Sequence, residues 1–270
     1  MAGFASTIFI PLAGWLVEAQ GWRQSLVTLA GILAIGTIAP HLLLLRRQPQ
    51  DLGLDPDGSA LSHESTKQQK RPSMNVGDAV RHASFRWLTV AFWLATIATA
   101  ALSIHLLPYL RDRGYDPTFA AAITGSLGAV QVLARLVLAP FGSRISAQLL
   151  AAVILALQPV ALIVLLLVRS TPGLLLFTLL FGAQRGLSTL ARPALIADLY
   201  GPARYASIAG VLQFALSLAQ AAAPYGAGAA YDVMLSYEPI FWGLTVLAAL
   251  AVVAVLRAKR DPSERLQSEP

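Results

Sequence analysis

The sequence predicts an all-α fold, a polytopic membrane helix bundle of eight transmembrane helices. Three observations predict it. Hydrophobic residues make up 56% of the 270 and charged residues 13%, whereas a soluble domain carries about 25% charged residues. Eight apolar stretches, near 2–18, 25–45, 87–108, 119–141, 147–168, 173–197, 207–230 and 239–256, each approach the ~20 residues that a helix needs to cross the hydrocarbon. Lys and Arg, finally, divide unevenly between the connecting loops.

The apolar stretches are read as helices because lipid offers no partner to an exposed backbone group. The first is not a cleaved signal peptide, since Met1 to Val17 carries no charge and so no basic n-region. After the second span, Gln48 to Gly77 is the one long polar segment, rich in Pro, Gly, Ser, Asp and Lys, the composition of a flexible linker. Six further spans follow, separated by short loops. This gives a two-helix segment at 1–45, a cytoplasmic linker loop at 46–86, a six-helix half at 87–256 and a cytoplasmic tail at 257–270. Loops on one side hold 13 basic residues, from Arg46 through Arg265, and those on the other hold four: Arg23, Arg111, Arg113 and Arg169. The positive-inside rule places the linker, the tail and, with eight spans, the N-terminus in the cytoplasm. Most of the five Trp fall near run ends, as interfacial anchors do. Of the 20 basic residues only Lys67, Lys70 and Lys259 are lysine, a bias that suggests a GC-rich bacterial genome and hence a bacterial inner membrane.

Composition also removes function classes. Cys is absent and the four histidines are scattered without ligand spacing, so no disulfide framework, metal site or cofactor is implied. The net charge of +6 sits in loops beside apolar runs, which fits membrane topology rather than nucleic acid. An integral-membrane enzyme would need acids, histidines or metal ligands gathered near one membrane face, and no such cluster is visible.

A weak internal repeat accounts for the two-plus-six layout. Pro11-Leu12-Ala13-Gly14 in the first span and Pro224-Tyr225-Gly226-Ala227-Gly228 in the seventh lie at similar depth, each followed by a short loop and one more span. Transporter halves are related by repeats of this kind. The offset is 213 residues. The expectation is a twelve-span parent of roughly 400 residues, of which this chain lacks the first four helices. An intact eight-span protein with a chance Pro/Gly match is the other reading.

Charged groups inside the apolar runs are all arginines: Arg135, Arg185 and Arg192. A guanidinium at the bilayer centre costs at least ~2.5–3.5 kcal/mol on insertion scales, so it faces other helices or a wet cavity. Arg185, Ser188, Thr189 and Arg192 fall at i, i+3, i+4 and i+7, one helical stripe with the arginines about 10 Å apart along the axis. Such a stripe suits an anion, because Arg presents a planar fork to a carboxylate. The functional reading has Arg185 holding a substrate carboxylate; the structural one has it bonded to backbone carbonyls or packed against other helices. Arg192, nearer the cytoplasmic end, suits a gate or a lipid-headgroup contact. Gly125, Gly128, Gly182 and Gly186 suit close helix contact, and Gln213, Gln220 and Tyr225 suit a cavity lining.

Several stretches resemble the major facilitator superfamily, in its monocarboxylate-porter and oxalate/formate-exchanger-like branch. Arg47-Gln48-Pro49-Gln50-Asp51-Leu52-Gly53-Leu54-Asp55-Pro56-Asp57-Gly58 resembles the start of the central loop, and His105-Leu106-Leu107-Pro108-Tyr109-Leu110 the end of helix seven. Gln131-Val132-Leu133-Ala134-Arg135 with Gly142-Ser143-Arg144 resembles helix eight and its following loop; Ala197-Asp198-Leu199-Tyr200-Gly201 resembles the cytoplasmic end of helix ten. The chain departs from the pattern where many carboxylate porters carry an Asp four residues before the helix-eight Arg, since that position is Gln131. The helix-five pattern is only partly present, at Pro11 and Gly14.

The resemblance implies a secondary transporter of small organic anions, monocarboxylates above all, working by alternating access, with protons as a candidate co-substrate and the lipid bilayer as its medium. It raises Arg135, with Gln131 one turn away on the same face, as a substrate or gating residue, with helix-end packing as the alternative. His105 joins the substrate-binding candidates as a lone His near the outer end of its span. Asp198 and Arg144 join Arg192 as cytoplasmic-end candidates. The competing expectation is an inactive or regulatory fragment, because two helices do not complete the first half; a partner chain supplying the rest is not identified by the sequence.

Overall fold

In the computed structural model, residues 4–44, 76–138, 146–201 and 205–258 are described. Most of the 46–86 loop and of the 257–270 tail lies outside them, as do Arg144 and the stretch at 47–58. All regular structure among the described residues is helical: α1 Phe4–Leu44, α2 Val76–Arg81, α3 Ala83–Asp112, α4 Pro117–Leu138, α5 Ala147–Leu167, α6 Thr171–Tyr200, α7 Tyr205–Met234 and α8 Tyr237–Arg257. Seven of these are long and apolar enough to cross a bilayer, one fewer than the eight expected. The first two expected spans run together as the 41-residue α1, which breaks its helical geometry only at Gly21, φ 76° and ψ 162°. The break falls where a short loop was expected, at a residue that accepts positive φ without a Cβ clash. The Ser25 hydroxyl donates to the Gly21 carbonyl at 2.7 Å.

The chain divides into two compact units, residues 1–71 and 72–270. Within the second, α3 packs on α7 and α8, α5 on α6 and α8, and α4 on α6. Polar residues set the tight turns. Asp116 Oδ1 accepts from the Thr118 and Phe119 amides at 2.9 and 3.0 Å to start α4. Ser170 and Ser236 hydroxyls accept from Gly173 and Glu238 amides to start α6 and α8. Such caps satisfy amides that a helix start leaves orphaned. Helix ends are met in the same way: Arg113 donates to the Leu165 and Leu166 carbonyls that close α5, and Gln148 donates to Val255 and Leu256 at the end of α8.

The core of this unit has two apolar layers with a polar belt between them. One layer runs from Phe85 to Ala95 on α3 with Leu155, Leu195, Leu212 and Val255. The other gathers Ala98 to Leu110 on α3 with Leu162, Phe177, Phe181 and Phe241. Between them Gln158 is fully buried and donates to the Ala95 carbonyl and the Thr99 hydroxyl at 3.2 and 3.0 Å. The four glycines expected at close contacts divide. A Cβ on Gly182 would lie 2.6 Å from Val130 Cγ1, and one on Gly186 would strike the Gln131 backbone, so α4 and α6 approach through these two. Gly125 and Gly128 have open space instead and are not contact residues.

Candidate functional site

The polar belt opens into a cavity of about 380 Å³. Four helices carry its polar wall. α3 contributes Thr96, Thr99 and Ser103, a stripe at i, i+3 and i+7. α6 contributes Gln184, Arg185, Ser188, Thr189 and Arg192, and α4 and α7 add Gln131 and Gln220. Helical periodicity explains the convergence, since residues three, four and seven apart share a face.

Arg185 Nη1 donates to the Ser103 hydroxyl at 3.1 Å. That hydroxyl has already given its own hydrogen to the Thr99 carbonyl at 2.6 Å, so it meets the guanidinium with a lone pair. The Arg185 Cζ lies 5.9 Å from the Phe181 ring centre, the approach of a cation to a π face. A guanidinium has five N–H donors. Among the described residues one hydroxyl and one ring meet this fork, which leaves most of it unused, and no carboxylate pairs with it. Arg192 lines the same cavity. Its Nη1 donates to Gln213 Oε1 at 3.1 Å and its Cζ lies 5.3 Å from the Phe92 ring.

The other expected site residues sort differently. Gln131, Ser188 and Thr189 are in the cavity wall. Thr189 donates to the Gly186 carbonyl at 2.7 Å, and Ser188 accepts from Gln184 Nε2 at 3.2 Å. Arg135 is absent from that wall; its Nε donates to the Gly186 carbonyl at 3.0 Å and clips α4 to α6. The expected pairing of Arg135 with Gln131 gives way to this inter-helix bond. His105 is also outside the wall. Its Nε2 meets the Pro224 carbonyl at 2.9 Å, a contact that needs a proton on Nε2, and its Nδ1 lies 3.2 Å from the Tyr237 hydroxyl. His105 thus ties α3 to α7 and α8. Asp198 is exposed near the end of α6. Tyr225 is exposed and stands outside the cavity, Gln220 is in its wall, and Gln213 holds Arg192.

Sequence reasoning missed Thr96, Thr99, Ser103 and Gln184. The α3 stripe carried a readable signal, three hydroxyls on one helical face of an apolar run. Gln184 is 2% exposed and its Oε1 has no partner among the described residues, so an acceptor stands next to Arg185 in sequence with an unmet hydrogen bond.

A family model described as Major Facilitator Superfamily matches residues 1–186 and 106–270. Monocarboxylate transporter 13 of Bos taurus is 26% identical over 265 residues, covering 94% of this chain and 57% of the relative. Monocarboxylate transporter 13 of Rattus norvegicus is 24% identical with the same coverage. The chain therefore spans little more than half the length of these curated relatives.

Proposed function

The chain belongs to the Major Facilitator Superfamily, and we propose that it carries the anion-binding half of a secondary transporter for small organic anions, monocarboxylates above all. Membership and seven membrane-length helices among the described residues support reading it as part of a multi-pass membrane transporter rather than an enzyme. The observation that carries the substrate class is the underused Arg185 fork, which opens on a cavity with no Asp or Glu in its described wall. A carboxylate there would receive charge-assisted hydrogen bonds from Arg185, about twice as strong as neutral ones. The name of the mammalian relatives supports monocarboxylates. Substrate would bind near mid-membrane and be exposed alternately to either side. The absence of an acid from the described wall gives exchange or facilitated diffusion the same standing as proton symport. Loop charge supports a cytoplasmic linker and C-terminal tail, the N-terminus joins them only if α1 crosses twice, and Arg-over-Lys usage is the basis for a bacterial inner membrane.

The test is binding of radiolabelled pyruvate to the chain in nanodiscs. Replacing a charged hydrogen-bond donor costs about 1.5–3 kcal/mol, so Arg185→Gln should weaken binding roughly ten- to a hundred-fold while Arg135→Gln leaves it within a few-fold. Equal binding by wild type and Arg185→Gln would remove Arg185 from the site.

A further inference from the structure

Arg192 sits where two cavities meet. Besides the central one, a cavity of about 480 Å³ lies between α6 and α7, lined by Ile196, Tyr205 and Gln213 among others, and Thr189 and Arg192 belong to both walls. From this we infer a second carboxylate site, built on Arg192 and separate from the one assigned to Arg185; it rests on the anion-transport reading above.

Three observations separate the two sites. Arg185 and Arg192 lie seven residues apart on α6, about 10 Å along its axis, and they reach partners eleven residues apart on α3, Ser103 and Phe92. A small monocarboxylate is too short to bridge two guanidinium groups anchored that far apart. Each guanidinium is held by its own acceptor and its own ring, Ser103 and Phe181 for one, Gln213 and Phe92 for the other. The Arg192 Nε is enclosed and has no acceptor among the described residues, an unmet bond with a cost. Once the groups that enclose it part, a carboxylate on the Nε–Nη edge would meet it with two parallel bonds.

Charge gives the same answer. Two arginines share a cavity whose described wall holds no acid. One bound monoanion leaves one buried cation uncompensated, and a second balances it. The ligand is therefore a small monocarboxylate at both sites. An anion released from Arg185 meets Arg192 next, with the second cavity beyond it.

Methylglyoxal modifies arginines and matches pyruvate in size, so it reports which guanidinium groups a small carboxylate reaches. The chain in nanodiscs is labelled with and without pyruvate, and each arginine is read by mass spectrometry. Pyruvate at four times its half-protecting concentration should slow labelling of both Arg185 and Arg192 about five-fold, by simple occupancy. Protection of Arg192 should persist in Arg185→Gln, or in Arg185→Lys should the first variant fail to insert. Protection of Arg185 should persist in Arg192→Gln. Arg192 unlabelled or unprotected beside a protected Arg185 overturns this second site and leaves the first standing. Loss of Arg192 protection in the Arg185 variants replaces two sites by one. No protection at either arginine removes the anion-binding reading together with this one.

Discussion

At the end of the bundle where the α3–α4, α5–α6 and α7–α8 turns gather, Arg113 donates to two carbonyls closing α5, pairs with Glu238 at 3.0 Å and lies over the Tyr109 ring at 4.7 Å. In the middle of the same bundle Arg185 has one hydroxyl and one ring. Both are guanidinium groups against apolar packing, yet Arg113 gives three bonds to the fold through Nη1 and Nη2, with its enclosed Nε left without a partner among the described residues, while Arg185 gives one. A cation whose terminal nitrogens are engaged by the protein has little left for a ligand. Around Arg113 the packing agrees with a structural role: Tyr231 stacks on Tyr237 at 4.1 Å between ring centres, Tyr109 packs on Phe241 at 4.7 Å, and His105 packs on Tyr237 at 5.4 Å. Around Arg185 hydroxyls and amides mix with apolar groups such as Ile104 and Leu155, and the wall faces open space.

The largest effect should come from closing the approach that shapes the cavity wall. A side chain on Gly186 meets the Gln131 backbone, which cannot swing aside as a flexible side chain would. Gly186→Leu should separate α4 from α6 and destabilise by about 3 kcal/mol or more, the upper range for overpacking. Thermal unfolding in detergent should show the loss, and Gly125→Leu, where space is open, should not. Equal losses at both glycines would mean that the α4–α6 contact is not what holds the wall together.

Next comes the pair of arginines themselves. Arg113→Leu strands the Leu165 and Leu166 carbonyls and leaves Glu238 to Arg169 alone. Removing one partner of a largely enclosed charged network costs about 1–3 kcal/mol, and the unfolding temperature should fall with it. Arg185→Leu should change stability by under about 1 kcal/mol, because a sparsely bonded buried cation is replaced by an apolar group of similar reach. Pyruvate binding should show the opposite order, lost in the Arg185 variant and kept in the Arg113 variant. A crossover of this kind separates a ligand residue from a structural one; matching losses in both assays would erase the contrast.

How much of this was legible in the sequence follows from the physics of each feature. Arg185 stood out because a lone charge in an apolar run is expensive wherever it occurs. Ser188 and Thr189 followed from helical spacing alone. Arg113 looked like an ordinary loop cation, because its role depends on where α5 ends in space, and sequence distance hides that. Arg135 and His105 were promoted by resemblance, whereas inter-helix carbonyls occupy both. Which backbone oxygen a polar side chain meets is decided by packing, not by its own segment. The two N-terminal spans illustrate a similar limit. Their apolar content was plain, but whether Gly21 turns the chain or only bends it depends on a few backbone angles.

The smallest effect concerns Glu238, where the contrast between the regions is sharpest. It accepts from Arg113 at 3.0 Å and from Arg169 at 3.3 Å, and its side chain is 48% exposed, Arg169 73% and Arg113 11%. Exposed pairs contribute at most about 1 kcal/mol, and salt screens them. Glu238→Gln keeps an acceptor oxygen for Arg113, and the two α5 carbonyls remain. The loss should therefore be a few tenths of a kcal/mol, shrinking further between 0.05 and 0.5 M salt on the order expected from the shorter Debye length. Arg113 would keep its place on carbonyls and ring alone. A loss as large as that of Arg113→Leu would show instead that the carboxylate, not the helix end, holds this guanidinium. The turn end would then be an electrostatic latch, open to solvent and salt, rather than a capped and packed seam.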